Sequence, residues 1–415
     1  MQLVIFEDEG VERLRPLLQL KPVYHLRCGM RSLREKFERA LSTPIALHCR
    51  KSLQELLREE NPTALVNVVS SEDALFLNGR AICDESLASK VQTGKFEFGK
   101  AYFNGGQLVA FRANPKELFG DELPNVVEAK FISERLPVSQ VEGVLVSFLW
   151  DLIRLHPIEF KREAKAEKRF GAILGKVHPR AILVGEERIF IDEGAEIKAG
   201  AVLDADEGFI YVARDAKILP NAVLMNNVFV GEGATVKIGA KIYGNVYIGK
   251  QSKVGGEVED SIIEPFANKQ HDGFLGHSYV SSWCNLGAGT NNSDLKNNYG
   301  TVRMNVGGKE IDSKMQFLGL MMGEHSKCGI NSMFNTGTVV GMSSNIFGSG
   351  FPPKNIGSFQ WGGNETGFSR YDLEKALETA RATMKRRNVA LTPAYEAAFR
   401  RAFQEELNAS RGASQ

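Results

Sequence analysis

The residues that decide the fold are 212–254, which divide into hexads: VARDAK-ILPNAV-LMNNVF-VGEGAT-VKIGAK-IYGNVY-IGKQSK-V. Val212, Ile218, Leu224, Val230, Val236, Ile242, Ile248 and Val254 open successive hexads, so every sixth residue is aliphatic. With 43% of the chain hydrophobic, eight such hits in one register arise by chance about once in a thousand tries. Four residues after each stand Ala216, Ala222, Val228, Ala234, Ala240, Val246, Ser252 and Val258, all small or β-branched. A six-residue unit is too short for a helical repeat and has the wrong period for an amphipathic helix. It suits a short strand and a tight turn, repeated as a coiled parallel β-helix.

The beat extends over residues 191–347 with interruptions. An earlier set (Ile191, Ile197, Leu203) is offset by three residues. A later set reads Ile262, Asn268, Phe274, Val280, Leu286, and a final one Met322, Cys328, Phe334, Val340, Ile346. The final set has Ser326, Ser332, Thr338 and Ser344 at the small position. Between these two sets lies 291–316, polar and broken by Gly307-Gly308. It is expected as a loop thrown out of the coil, where insertions often line a binding surface.

The beat resembles the hexapeptide-repeat acyltransferases, whose fold is a left-handed parallel β-helix, an exception to right-handed crossovers. Within them the chain is similar to the acetyltransferase half of the bacterial bifunctional enzyme that acetylates glucosamine-1-phosphate and then uridylylates it. That family carries Lys-Ala-Gly-His-Leu-Ser-Tyr-Leu-Gly, then Asn-Ile-Gly-Ala-Gly-Thr. The corresponding residues here are Lys269, Gln270, His271, Asp272, Gly273, Phe274, Leu275 and Gly276, then Asn285, Leu286, Gly287, Ala288, Gly289 and Thr290. The distance from His to Asn is the same. The resemblance implies that His271 is the general base, a role suited to a side chain that is mostly neutral near pH 7. It implies that Asn285 contacts substrate. Phe274 stands for a tyrosine and Glu259 for a phosphate-binding lysine, so Lys269, Lys296 and Arg303 are the candidate replacements for that charge. Asp294, Lys296 and Tyr299, in the extruded loop, would close the acceptor site. Acetyl-CoA would lie along the last coils, near Ala288 and Ser326, with Lys354 of the Phe351-Pro352-Pro353-Lys354 run reaching a phosphate. A homotrimer is implied as well. Three histidines (His271, His277, His325) raise a zinc reading, which needs ligands converging on one ion.

The N-terminal region alternates strand and helix candidates, as an α/β sheet does. Strands are expected at Leu3 to Phe6, Pro44 to Leu47, Leu65 to Val69 and Ala74 to Leu77. Helices are expected at Ser32 to Leu41 and Ser52 to Glu60. Arg13, Arg15 and Lys21-Pro22 are similar to the triphosphate-holding signature of sugar-phosphate nucleotidyltransferases, with Asn78 at the end of the strand that precedes the family's metal-binding Asp. A basic solvated face fits Arg13, Arg15 and Lys21 equally well. The chain departs from the signature twice: the Gly-rich loop is reduced to Gly10, and Arg80 stands at the metal Asp. Metal and positioning carry nucleotidyl transfer, so Mg2+ in this half would need a substitute such as Asp84. The chain resembles, over most of its length, a branch of sugar nucleotidyltransferases in which a degenerate first half is joined to a β-helix.

The expected order is therefore a nucleotidyltransferase-like α/β domain at 1–142, a helical linker at 143–170, the β-helix at 171–360 and C-terminal helices at 361–415. In the linker, His156-Pro157 is expected to punctuate an apolar run, with 159–169 a solvated charged helix. At the end, helices are expected over 371–386 and 394–407. Across 415 residues the net charge is +1, which gives no electrostatic case for nucleic acid or an anionic membrane. Five scattered cysteines without a Cys-x-x-Cys fit a reducing cytoplasm. MQLVIFEDEG reads as neither signal peptide nor membrane span. Two functions remain open: an acyltransferase joined to a nucleotidyltransferase-like half, or a trimeric scaffold that binds a nucleotide sugar without catalysis.

Overall fold

The computed structural model describes residues 1–412 and divides into two units. The first unit comprises Met1–Arg27, Arg31–Leu149 and Pro393–Arg401. Its sheet runs in the order Ile45–Leu47, Gln2–Phe6, Ala74–Asn78, Gln107–Ala113, Lys100–Asn104, Val138–Gln140. The first three strands are parallel; Gln107–Ala113 is antiparallel to both its neighbours. Phe6, Phe76 and Phe111 pack on one side of it, the last two stacked 4.5 Å apart. Ser32 caps the helix Leu33–Leu41, with Glu35 returning the bond in a capping box.

Three local expectations need correction. The strand expected over 65–69 is only a single bridge, Leu47 to Val66. The hairpin Lys100–Asn104/Gln107–Ala113 was not read, although its turn glycines, Gly105 and Gly106, both take the positive φ such a turn demands. Asp84 is the N-cap of the helix Glu85–Gln92, its carboxylate accepting from the Leu87 amide at 2.8 Å. That bond supplies a helix donor with its partner and gives Asp84 a structural role.

The second unit comprises Cys28–Met30, Trp150–Thr392 and Ala402–Gln415. Helix Leu149–Lys165 runs through Pro157 without a break. Its charged part is solvated on one side only: Lys161 and Lys165 are exposed, whereas Glu159 and Glu163 are buried. The Met30 amide donates to Glu163 Oε2 at 2.7 Å and the Gly29 amide to His156 Nδ1 at 2.8 Å, so this stretch seats residues 28–30. Phe160 packs with Phe190 and Tyr211 of the first coils.

The β-helix has three faces, of six, nine and eleven strands, parallel except for the edge strand Gly367–Arg370, which is antiparallel to Gln360–Gly363. They are called here the Tyr243, Tyr247 and Asn285 faces, after an outward residue on each. Down the Tyr247 face Ile191 stands beside Val212, then Val230, Ile248, Ile263 and Val280. The rungs from Val212 to Val230, from Val230 to Ile248 and from Met322 to Val340 are three hexads each. The rung from Ile191 to Val212 has three residues more, which is the offset seen in the sequence, and the rung from Ile248 to Ile263 has three fewer.

The next rung, from Ile263 to Val280, is one residue short of three hexads, and this corrects the inward set. Ile263, Lys269 and Leu275, not Ile262, Asn268 and Phe274, stack beneath Val280 and Leu286. One residue of slip turns every side chain over. It sends Phe274 outward and Lys269, 2% exposed, inward. The final set is inward as read.

The coil closes across the insertion, Leu286 pairing directly with Cys328. Within 291–316, Asn291–Asn292 pairs with Met333–Phe334 and Arg303–Val306 forms a hairpin with Lys309–Asp312. Helices Leu373–Lys385 and Pro393–Gly412 follow, and Phe403 packs edge-on against Phe359 of the last coil, 4.9 Å between centroids.

Candidate functional sites

In the first unit the strand ends Phe6 and Asn78 bring Asp8 and Arg80 together. Arg80 donates to Asp8 through Nε at 2.7 Å and Nη2 at 2.6 Å, and to the Val146 carbonyl and Gln107 Oε1 at 3.0 Å. A Cβ on Gly10 would lie 2.5 Å from the guanidinium carbon, so the short loop after the first strand rests directly on Arg80. Arg80 and Asp8 have side-chain exposures of 1% and 3%. A bidentate pair this buried leaves the carboxylate satisfied. The residues present do not fit Mg2+ at this corner, because a fixed cation already occupies Asp8.

The four nucleotide candidates are each engaged. Asn78 is buried, its amide donating to Asp8 and to the Leu108 carbonyl. Arg13 donates to the Ser147 carbonyl at 3.1 Å, Arg15 pairs with Glu12 at 3.0 Å, and Lys21 is buried. Sequence reasoning missed a second buried pair, Glu7 with Arg50. Glu7 also accepts from the Val23 amide, and Arg50 donates to the Leu18 and Lys21 carbonyls, which ties the 18–23 loop to the sheet.

On the β-helix the candidates separate into groups. His271 is exposed at the corner between the Asn285 and Tyr243 faces, and among the described residues nothing hydrogen-bonds its ring. Lys269 lies inside the coil with its ammonium donating to the His271 carbonyl at 2.6 Å; burial pulls its pKa down to about 8. A substrate-binding role for Lys269 is thus corrected to one inside the coil, beneath the His271 turn. Asn285 faces outward between Asn268 and Lys327 on its own face, apart from Phe274. Ser326 is buried and ties two coils, donating to the Gly341 carbonyl and accepting from the Ser344 amide, so its hydroxyl is not open to a ligand. The Ala288 carbonyl accepts from the Asn331 amide.

A second group gathers in the extruded segment and the last coils. Lys354 reaches Thr336 at 3.4 Å, and burial with the nearby Lys296 charge lowers its pKa. Lys296 donates to the Thr301 carbonyl, Arg303 pairs with Glu310 at 3.7 Å, and Tyr299 is exposed.

The third group was not anticipated as a unit. Phe274, Asp294 and His277 meet at the far end of the strand Phe274–Gly276. His277 Nδ1 lies 2.8 Å from Asp294 Oδ2, and Phe317 stacks on the imidazole with centroids 5.2 Å apart. Phe274 lies over Gly276, where a Cβ would meet its ring at 2.5 Å and would also strike the Asp294 carboxylate. The corner takes positive φ in successive coils at Asn226, Gly244, Asp260 and His277. Polar side chains climb it: Asn227 donates to Asn245, and Asn245 to Asp260 at 2.5 Å. Burial works against the imidazolium, but the Asp294 bond with Asp260 and Glu259 outweighs it and raises the His277 pKa. The three histidines do not converge: His325 is buried against Trp283. No group of three or more metal-ligating side chains is present among the described residues.

The architecture is an α/β unit followed by a parallel β-helix. Residues 3–169 match the family model described as sugar nucleotidyl transferase. A bifunctional sugar-1-phosphate nucleotidylyltransferase/acetyltransferase of Sulfurisphaera tokodaii is 27% identical over 57% of this chain and 53% of its own. The bifunctional protein GlmU of Methanocaldococcus jannaschii is 25% identical over 68% of this chain and 62% of its own. The chain thus spans between half and two thirds of the length of these relatives. Among the described residues no helix is long and apolar enough to cross a membrane.

Proposed function

We propose that the β-helix transfers an acetyl group from acetyl-CoA to the amine of an amino-sugar phosphate. The observation that carries this reading is the order and spacing of the His271–Gly276 and Asn285–Thr290 segments, set on adjacent rungs with the 291–316 insertion beside them. Phosphate, from the acceptor or from coenzyme A, would find Lys354, Lys296 and Arg303 in one neighbourhood. The resemblance gives the proton-accepting role to His271, whose open ring is accessible to a ligand. The chain acts as a homotrimer, in which the Asn285 face of one copy meets the Tyr243 face of another, so that Asn285 and Phe274 serve one site.

The first unit supports a second reading for its own half. The Arg80–Asp8 pair favours a retired nucleotidyltransferase that has kept the sheet and given up the metal. Thermal melts of the full chain with acetyl-CoA, coenzyme A, UTP or dTTP with Mg2+ separate the two halves. A ligand at a hundred times its Kd adds about 2.7 kcal/mol. A shift with coenzyme A alone supports an acyltransferase with a retired first half. A shift with a triphosphate restores nucleotidyl transfer, and no shift with any ligand supports the scaffold. Sedimentation velocity tests the trimer.

A further inference from the structure

We infer that His277, held by Asp294, is the catalytic proton acceptor of the β-helix, and that His271 is not. The inference rests on the reading above that an acyl group passes from a thioester to an amine. A general base needs a fixed tautomer, an open lone pair and a place for the charge it acquires. His277 has all three. The Asp294 carboxylate, 2.8 Å from Nδ1, fixes the proton there and leaves the lone pair on Nε2. The nearest anion to Nε2 is Asp260 Oδ2 at 3.9 Å, too far for a hydrogen bond. Phe317 covers one face of the ring, while 17% of the side chain stays exposed. Asp260 is itself held by Asn245, and the Leu318 amide fixes the Asp294 backbone at 2.8 Å.

The surroundings suit the chemistry. Asp294, Asp260 and Glu259 all favour the imidazolium over the neutral ring. The Phe274 ring, packed over Gly276, lies beside the same Asp294 carboxylate. In the step proposed, the amine nitrogen bonds to the thioester carbonyl carbon and the C–S bond breaks, its electron pair leaving on sulfur. The proton released by nitrogen passes to His277 Nε2 and from there to the thiolate. His271 lacks this support: its ring is exposed, nothing among the described residues hydrogen-bonds it, and it stands at the corner on the other side of the strand Phe274–Gly276.

The test is steady-state acetyl transfer by the full chain to a panel of amino-sugar phosphates, with thiol release as the readout. His277→Asn is the first variant, because Asn tolerates the positive φ at this corner. Its kcat is expected to fall by a hundredfold or more with KM for acetyl-CoA unchanged and the melting profile retained. Asp294→Asn tests the positioning residue. It should lower kcat and move the acidic limb of the kcat–pH profile to lower pH, since Asp260 and Glu259 alone hold the imidazolium less well; a purely structural role would not move that limb. The inference is overturned if His277→Asn keeps kcat within threefold of the unsubstituted chain, and most directly if His271→Ala abolishes turnover in the same assay. Should His277→Asn not fold, Asp294→Asn decides by its limb: unmoved, the inference falls. No turnover by the unsubstituted chain with any acceptor overturns the acyl-transfer reading itself.

Discussion

Two hydrogen-bonded pairs, one in each unit, set a nitrogen side chain against a carboxylate and are built to opposite ends. Arg80–Asp8 is sealed, with bidentate geometry, the Val146 carbonyl and Gln107 Oε1 accepting from Nη1 and a glycine loop laid over it. His277–Asp294 has one hydrogen bond, an uncommitted Nε2 and side chains 17% and 12% exposed. A pair whose donors are all spent can only hold the chain in place, and here it sits where the resembled enzymes place a metal. A pair with one lone pair left open to solvent can still move a proton. The same kind of interaction thus closes a carboxylate in one unit and leaves a ring nitrogen open in the other.

The largest expected effect breaks the sealed pair. Arg80→Met leaves Asp8 buried without a partner and should destabilise the first unit by about 3–5 kcal/mol, read as a lower urea midpoint. An apolar double replacement at Asp8 and Arg80 should recover most of that loss, because desolvation of both charges offsets their attraction. Next comes Gly276→Ala, whose methyl group meets the Phe274 ring and the Asp294 carboxylate. Crowding of this kind costs about 1–3 kcal/mol, and acetyl transfer should fall with it, because the Asp294 contact to His277 opens.

Lys269→Met should stabilise the coil by about 1–2 kcal/mol, since it removes an ammonium from an aliphatic stack where Val254 and Leu286 are its neighbours. The sign follows from the lowered pKa, about 8 in the folded chain. The folded state resists protonation, so the penalty is complete below pH 8 and disappears as pH rises to the unfolded value near 10.5. The gain from the substitution should fade over that window in melts at successive pH values. The smallest effect is on His277. Its raised pKa means the imidazolium contributes stability below about pH 6.5 and loses it as pH rises through the folded value. His277→Asn should therefore cost about 1 kcal/mol at pH 5.5 and less at pH 8.5.

The six-residue beat made the β-helix legible, because each hexad contributes one inward aliphatic residue and the repeat adds its evidence rung by rung. The extruded segment was legible from its polarity and its glycine pair. The one-residue error at Ile262, Asn268 and Phe274 came from the rung Ile263 to Val280, one residue short of three hexads: shortening moves the phase inside the rung, and only backbone pairing shows where. In the N-terminal unit the strands of the parallel half were readable from apolar runs, whereas 65–69 has the composition of a strand and too little pairing to be one. The charged stretch 159–169 looked solvated because nothing local reveals that residues 28–30 will donate backbone amides to Glu163 and His156.

By itself the sequence determined the repeat, the class of each unit, the place of the insertion and the replacement of a metal-binding position by Arg80. Those are properties of residue type and spacing along the chain, and periodicity carries them without knowledge of contacts. Only the tertiary structure decided that Arg80 is spent on Asp8, that Lys269 points into the coil and that His277 meets Asp294. Each of those depends on which residue of one rung lies over which residue of the next, and that register is set by backbone hydrogen bonds between segments distant in sequence.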